Sequence, residues 1–219
     1  MRIILTGSSG YIGGSVLKRC IEHPSVTSII ALSRRDLETS HSKLETIILK
    51  DFASYEPAVL ARLKDAEACI WSLGSYGTNR EIHVDLPVAG IKALYSAIKN
   101  QGRRFHFVYL SGGLCERDQA KTLWFMPEAR HMRGEAETKL LDFQNEHSDQ
   151  WQSTIVRPLA VTNGESLMRF VLPNWYIPLA ELAAAMVDLA INGSNETFLE
   201  NADVRAHGQA ALTATESRS

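Results

Sequence analysis

Short apolar runs alternate along the chain with stretches whose apolar residues recur every three to four positions. The runs are typical of buried parallel strands, and the spaced positions are typical of helices with one buried face. The runs predict strands at 3–5, 28–32, 46–49, 68–72, 105–110, 153–157 and 196–200. The spaced stretches predict helices at 11–22, 55–63, 81–100, 128–146 and 178–192. This alternation predicts an α/β fold, a doubly wound parallel sheet with helices on both faces.

The pattern contains no internal repeat and no linker, so all 219 residues are expected to form one domain. Pro87 is expected to kink the helix at 81–100 or to mark a late start of it. The pattern is weaker from Gly164 onward, and the polar residues 214–219 are expected to fray.

The first strand runs into a turn with three regularly spaced glycines, in the sequence MRIILTGSSGYIG. Gly7 suits the tight turn, Gly10 lets backbone approach a pyrophosphate, and Gly13 lets the following helix pack closely on the strand. The helix N-terminus then offers free N–H groups to phosphate oxygens. The strand–turn–helix context therefore predicts a dinucleotide site. The alternative is a glycine-rich turn in an unrelated α/β protein.

The second predicted strand ends at Ser33-Arg34-Arg35, where a dinucleotide fold meets the adenosine ribose. An acidic residue here would bind the 2′-hydroxyl of NAD, whereas arginine pairs with the 2′-phosphate of NADP. Because Asp36 comes late, Arg34 predicts NADP(H) as the cofactor. A solvated basic turn is the alternative.

Composition narrows the choice of partners and compartment. The net charge is −2, with 45% hydrophobic and 22% charged residues, which gives no indication of a nucleic-acid or membrane surface. The three cysteines have no paired spacing, so neither disulfides nor a metal site is expected, and the protein is expected to be cytoplasmic. Cys115 follows a predicted strand end, and a reactive thiol is the less favoured interpretation of it. No apolar stretch approaches the length of a membrane span.

Several short motifs together resemble the short-chain dehydrogenase/reductase superfamily. They are the glycine turn from Thr6 to Gly13, Asp51-Phe52, the strand end at Ser111 and the step Arg157-Pro158. The chain is similar, more narrowly, to the small atypical members, the Tat-interacting-protein-like and NAD(P)-binding-domain proteins. Residues 133–137 resemble the Lys-Gly-Glu-x-Glu run of that group, and residues 199–204 resemble its C-terminal motif. The resemblance covers residues 1 to about 210 and implies an NAD(P)-binding Rossmann domain.

The resemblance implies a role for each matching position. The pyrophosphate would lie on the glycine turn and the 2′-phosphate on Arg34. Asp51 and Phe52 would flank the adenine, Leu73 and Gly74 would lie on the ribose side, and Pro158 and Leu159 would contact the nicotinamide carboxamide. Ser111 would be the family's active-site serine, Asp85 falls where many relatives carry asparagine, and residues 159–213 would form most of the substrate side. The implied cofactor-binding residues are Gly7, Ser9, Gly10, Tyr11, Ile12, Gly13, Arg34, Asp51, Phe52, Leu73, Gly74, Ser111, Arg133, Pro158 and Leu159.

The chain departs from the family at the residue that acts as the catalytic acid. The family has a tyrosine four residues before a lysine on the helix after the fifth strand, and the lysine lowers the pKa of the tyrosine. The resemblance puts Ala129 at the tyrosine and Arg133 at the lysine. Arginine can bind ribose and supply positive charge, but it cannot titrate near neutral pH. The implied catalytic residues are therefore Ser111 and Arg133, without a phenol.

Three other groups are considered as substitutes for the missing acid, namely Tyr76, Glu116 and His131, although a surface or packing role is favoured for each. His131 lies about 200° round the helix from position 129, which points it away from the site. Residues 123–126 are apolar and aromatic-rich, and they suit either an apolar crevice wall or ordinary core. The same two interpretations apply to Met168, Phe170, Trp175 and Tyr176.

Three functions remain open from the sequence. The first is an NADPH-dependent oxidoreductase that acts on a small, apolar substrate with an unusual proton donor or with water. The second is a non-redox enzyme, such as an isomerase, dehydratase or cyclase, on the same fold. The third is a non-catalytic regulator that senses NADP(H) or binds a protein. The oligomeric state, monomer or homodimer, is left open.

Overall fold

A computed structural model describes residues 1–75, 77–98, 102–163 and 173–216. Seven strands form one parallel sheet in the order β3-β2-β1-β4-β5-β6-β9, and β7 and β8 form a separate parallel pair. The strands are β1 (Arg2–Thr6), β2 (Ser28–Ser33), β3 (Leu44–Ile48), β4 (Ala68–Trp71), β5 (Phe105–Leu110), β6 (Trp151–Arg157), β7 (Ala160–Thr162), β8 (Tyr176–Pro178) and β9 (Phe198–Glu200). The predicted doubly wound sheet is confirmed.

Helices cover both faces of the sheet. They are α1 (Tyr11–Glu22), α2 (Pro57–Leu63), α3 (Leu86–Ile98), α4 (Pro127–Glu146), α5 (Leu179–Asn192) and α6 (Asn201–Glu216). Side chains of β1 alternate between the two cores: Ile4 packs in the core formed with α3 and α4, and Ile3 in the core formed with α1 and α5. None of the helices in these ranges is long and apolar enough to cross a membrane.

The strand order reverses beside β1, which pairs with β2 on one side and with β4 on the other. The connections leave this point toward opposite faces of the sheet, so a crevice opens at the carboxyl ends of these strands. The glycine turn after β1 lies at this crevice, and so do the chain segments that follow β4 and β5.

The helix predicted at 81–100 differs in its first turn. Glu81–Asp85 form a π-helical turn, and the regular helix α3 begins only at Leu86, directly before Pro87. A π-helical turn contains an extra residue, so it rotates the side chains that precede α3 relative to those of a continuous α-helix.

The C-terminal region is more ordered than its sequence pattern indicates. Residues 201–216 form helix α6, whereas fraying is predicted from 214; residues 217–219 lie outside the described ranges. Gly208 interrupts the apolar spacing in the middle of this helix. A Cβ there would lie 2.0 Å from the carbonyl oxygen of Glu181, so the glycine lets α6 pack against the backbone of α5.

Candidate functional site

The glycine turn after β1 has no room for side chains at two of its three glycines. Gly7 has a φ of +73°, and a Cβ there would lie 2.4 Å from the carbonyl oxygen of Ser72. A Cβ at Gly13 would lie 2.0 Å from the carbonyl oxygen of Gly7. Gly10 precedes α1 as its N-cap without a side-chain hydrogen bond. The turn therefore brings bare backbone and the first N–H groups of α1 to the crevice.

A cavity of about 450 Å³ lies on one side of this turn, and we name it the arginine cavity. Arg34 and Arg35 extend from the end of β2 into exposed positions on its wall, and none of the described residues that line it is acidic. Asp51 does not line it, and its carboxylate accepts a hydrogen bond from the backbone N–H of Ala53 at 2.8 Å. The lining residues are Gly7, Ser9, Leu32, Ser33, Arg34, Arg35, Phe52 and Leu73.

The central cavity, of about 370 Å³, begins at the other side of the glycine turn. It brings together residues from the glycine turn, the end of β4, the end of β5 and helix α4. Gly74 and Ser111, two of the predicted site residues, line it, and so do His83 and Tyr109, which were not among the predicted residues. Its lining residues are Gly10, Tyr11, Ile12, Gly13, Ser72, Leu73, Gly74, Ser75, His83, Tyr109, Leu110, Ser111 and Arg133.

The outer cavity, of about 510 Å³, shares Tyr11, Ile12, Ser111 and Arg133 with the central cavity. Large apolar side chains at its wall are exposed rather than packed into a core. The remaining lining residues are Gly112, Gly113, Leu114, Phe125, Met126, Ala129, Arg130, Pro158, Leu159, Ala160, Val161 and Trp175.

The outer cavity supports the wall interpretation for part of the aromatic-rich set. Phe125, Met126 and Trp175 line it and are exposed, while Trp124 is 100% exposed and projects beyond it. Leu123 and Tyr176 do not line it. Two members of the set, Met168 and Phe170, lie outside the described residues.

Ser111 is tied to a buried ion pair beneath the cavity floor. Its hydroxyl donates to Oε1 of Glu137 at 2.6 Å, and the Glu137 side chain on α4 is 0% exposed. Arg157 at the end of β6 binds the same carboxylate through Nε and Nη2, and it binds Glu200 at 2.6 Å through Nη1. The Ser111 proton is therefore directed at Glu137 rather than into the cavity.

Cys115 is held in the same network. Its thiol donates to the carbonyl oxygen of Gly112 at 2.7 Å, and its sulfur lies 3.3 Å from the Ser111 hydroxyl oxygen. Burial, followed by the negative charge of Glu137, raises the pKa of the Cys115 thiol. A protonated, hydrogen-bonded thiol is a poor nucleophile, so this geometry favours a structural role.

Arg133 lies between the central and outer cavities, one turn after Ala129 on α4. Its side chain lies beside the backbone of Gly112, where an added Cβ would lie 3.6 Å from Cδ and Nη1 of Arg133. Among the described residues, its guanidinium has no hydrogen-bond or ion-pair partner. By contrast, the neighbouring Arg130 donates to the carbonyl oxygen of Leu114 at 2.5 Å.

His83 enters the site from the π-helical turn. Its Nε2 lies 3.5 Å from the hydroxyl of Ser75, and its carbonyl oxygen accepts a hydrogen bond from the Tyr109 hydroxyl at 3.2 Å. Burial, followed by the charge of Arg133, lowers the pKa of His83. Burial also raises the pKa of Tyr109, so both side chains are uncharged at neutral pH. The extra residue of the π-helical turn places His83 at the crevice, which regular helical spacing does not indicate.

Asp85, at the position where many relatives carry asparagine, is exposed and lies 3.8 Å from Nε of Arg80. The described candidate substitutes for the acid do not line the central or the outer cavity. Glu116 binds Lys121 at 2.6 Å, which lowers the pKa of its carboxyl group, and neither Glu116 nor His131 lines either cavity. Tyr76, the remaining candidate, lies outside the described residues.

Solved structures share this architecture. The oxidoreductase ylbE from Lactococcus lactis superimposes with a TM-score of 0.67 over 97% of each chain at 17% identity. Gre2 from Candida albicans, in complex with NADPH, gives a TM-score of 0.66 over 91% of this chain and 77% of its own at 16% identity. The chain has a Rossmann fold. At these identities the likeness concerns the fold alone.

Sequence comparison finds a fungal relative. The leucinostatins biosynthesis cluster protein T of Purpureocillium lilacinum is 33% identical over an alignment of 180 positions that covers 78% of this chain and 62% of that protein. The chain thus matches less than two thirds of that relative's length. No protein-family model matches the chain.

Proposed function

We propose that this protein is an NAD(P)-dependent oxidoreductase of the short-chain dehydrogenase/reductase type, of the small atypical group, with a preference for NADP(H). The observation that carries the proposal is the glycine turn, whose two crowded glycines leave bare backbone at the switch point of a Rossmann sheet. The arginine cavity adjoins this turn on one side and the central cavity adjoins it on the other. A dinucleotide needs this continuous path along the carboxyl ends of the strands.

The residues present fit such a cofactor. The N–H groups at Gly10–Gly13 would bind the pyrophosphate, and Phe52 and Arg34 would lie at the adenosine end. Ser8 supports this placement, because its hydroxyl is buried at the turn with no hydrogen-bond partner in the described parts of the chain. Pro158 and Leu159 line the outer cavity, beyond Ser111, where the nicotinamide end would lie. When bound, the nicotinamide supplies hydride transfer, and the protein supplies binding and orientation.

The outer cavity supports a small, largely apolar substrate. Its exposed wall contains Leu114, Phe125, Met126 and Trp175, and its polar floor contains Ser111 and Arg133. Apolar walls with a few convergent polar groups are typical of small-molecule sites. A role in the biosynthesis of a small metabolite is compatible with the description of the fungal relative, a biosynthesis cluster protein.

A non-redox enzyme on the same fold is the second candidate. Two observations favour it: helix α4 contains no tyrosine, and the Ser111 hydroxyl donates its proton to Glu137. A carbonyl oxygen of the substrate would therefore lack the family's proton donor. A non-catalytic NADP(H) sensor is the third candidate, favoured by the fully exposed Trp124. Cofactor binding is common to all three.

The first test is a fluorescence titration of the purified protein with NADPH and with NADH. We expect NADPH to bind at least about ten-fold more tightly, a difference of about 1.4 kcal/mol. A substrate that then causes NADPH oxidation supports the oxidoreductase, whereas turnover without a change in nicotinamide absorbance supports the second candidate. If neither nucleotide binds, the proposed function is wrong.

A further inference from the structure

The Arg133 guanidinium differs from three cationic groups near the central and outer cavities, each of which has a partner. Arg157 is bound by Glu137 and Glu200, Arg130 donates to backbone carbonyl oxygens, and Lys121 is bound by Glu116. Arg133 has no such partner among the described residues, although it borders both the central and the outer cavity. A fixed positive charge that the protein leaves unpaired at a cavity floor is suited to an anionic oxygen.

The positions next to this charge on helix α4 and at the end of β5 offer no free proton. Ala129, one turn earlier on α4, carries none, and Ser111 directs its proton to Glu137. Tyr109 directs its proton to the carbonyl oxygen of His83. These positions can therefore stabilise negative charge on a substrate oxygen much more readily than they can protonate that oxygen.

We propose that Arg133 binds the oxygen of an enolate, and that the protein reduces a carbon–carbon double bond conjugated to a carbonyl group rather than the carbonyl itself. The inference rests on the proposed function, because it requires a nicotinamide hydride. An alkoxide is a strong base that needs a proton as it forms. An enolate oxygen is a far weaker base, and a fixed cation is sufficient for it.

The reaction balances with NADPH and water. The hydride forms a C–H bond at the β-carbon, the π electrons of the double bond move to the α-carbon–carbonyl unit, and Arg133 holds the resulting oxyanion. The α-carbon then takes a proton from water that enters through the open mouth of the outer cavity, as the enolate collapses to the carbonyl and hydroxide is released to the solvent. NADPH is oxidised to NADP⁺, and the enone is reduced to the saturated ketone.

The apolar wall determines the substrate class. Phe125, Met126 and Trp175 line the cavity beyond Arg133, so the carbonyl oxygen would lie at the guanidinium and a hydrocarbon chain would extend along the wall. We therefore expect a medium-length, apolar α,β-unsaturated ketone or aldehyde as the substrate. Leu114 and Val161 also line the cavity and contribute apolar surface to it.

The first experiment uses a matched pair of probes, trans-3-decen-2-one and 2-decanone, with NADPH. We expect NADPH oxidation with the enone only, 2-decanone as the product, and no allylic alcohol. Deuterium from NADPH labelled at C4 should appear at the β-carbon, and deuterium from D₂O at the α-carbon. Formation of the allylic alcohol, equal reduction of 2-decanone, or no oxidation by a protein that binds NADPH would overturn the inference.

The second experiment measures the oxyanion site without turnover. 4-Nitrophenol, an analogue of the enol, should bind as the coloured phenolate at a pH where free nitrophenol is mostly neutral, and the titration is made with and without NADP⁺. Arg133→Gln should abolish the phenolate band, Arg133→Lys should retain part of it, and Lys121→Gln, which removes a cation outside the cavities, should leave it intact. A band that persists in Arg133→Gln contradicts the proposal, as does its absence in the unaltered protein.

Kinetics and cofactor affinity separate this inference from the proposed function. For Arg133→Gln we expect about a hundred-fold loss of kcat with the enone, the scale seen when one oxyanion donor is removed. NADPH titration of the same variant reports any role of Arg133 at the ribose. If the unaltered protein does not bind NADPH, the proposed function itself is refuted. If it binds NADPH tightly but does not reduce the enone, only the inference is refuted.

Discussion

At the scale of single residues, Arg34 is the side chain on which cofactor preference depends. It lies exposed at the wall of the arginine cavity, beyond the end of β2. Arg34→Ala should weaken NADPH binding about ten- to a hundred-fold, because a charge-assisted bond to the 2′-phosphate is lost, and should leave NADH binding nearly unchanged. Fluorescence titration of both nucleotides measures this. Arg104→Ala, at an exposed position before β5, is the control, and equal losses for both nucleotides would refute the assignment.

His83 should make stability depend on pH in the mildly acidic range. Burial and Arg133 lower the pKa of His83 in the folded protein. Below the ordinary histidine pKa of about 6.5, the His83 side chain therefore binds more protons in the unfolded chain than in the folded one. Stability is therefore lost as the pH falls below this value toward the folded pKa. Between about pH 7 and about pH 5.5, urea unfolding should show a smaller decrease in the free energy of unfolding for His83→Gln than for the unaltered protein. The exposed His41→Gln is the control, and a difference of the opposite sign would contradict the assignment.

The sequence predicts those parts of the site that depend on local spacing. Gly7, Gly10 and Gly13 form one turn, and Ala129 and Arg133 lie four positions apart on one helix face, so both groups are recognisable from their spacing along the chain. Contacts between segments that are distant in the sequence cannot be recognised from such spacing. The hydrogen bond from Ser111 to Glu137 spans 26 positions, and nothing in the helical pattern of α4 indicates that this carboxylate lies below the strand end.

At the scale of elements, the buried pair of Glu137 and Arg157 joins helix α4 to strand β6. Arg157→Met would leave the fully buried Glu137 carboxylate without its cation, and we expect the free energy of unfolding to fall by about 3 kcal/mol. Urea unfolding measures the loss. Arg62→Met, which breaks a much more exposed ion pair with Glu45, should cost less than about 1 kcal/mol.

A second variant tests whether the loss comes from the uncompensated charge. Glu137→Leu combined with Arg157→Met removes both charges, so it should recover a large part of the stability lost in Arg157→Met alone. A double variant that is less stable than the single one would contradict this account and would assign the loss to packing against Phe198, which lies 4.5 Å from the Arg157 guanidinium carbon.

The order of the seven strands of the main sheet and of helices α1 to α5 is predictable from the sequence, because these strands are short apolar runs and these helices have an apolar face, whereas β7, β8 and α6 were not predicted. The exceptions have local physical causes. The π-helical turn before α3 has no signature in the apolar spacing, because one inserted residue alters only which side chains face inward. Gly208 resembles a helix breaker in the sequence, yet it is the residue that allows α6 to contact α5.

At the scale of the whole molecule, the fold supplies a cofactor path and a cavity, and two positions on α4 decide which chemistry they serve. Ala129 and Arg133 both line the outer cavity, and Arg133 also lines the central cavity. With alanine and arginine, these two positions can hold an oxyanion but supply no phenol to protonate it. A tyrosine at 129 with a lysine at 133 would place a proton donor with a lowered pKa at the same oxygen.

Ala129→Tyr combined with Arg133→Lys should therefore change the reaction from reduction of the double bond to reduction of the carbonyl. We expect the double variant to oxidise NADPH with 2-decanone and to form the secondary alcohol, because the alkoxide now receives a proton as it forms. Ala129→Phe with Arg133→Lys fills the same space without a hydroxyl, so it should stay inactive on 2-decanone. If the tyrosine variant binds NADPH and still reduces no ketone, the absence of a phenol is not what limits carbonyl reduction in this protein.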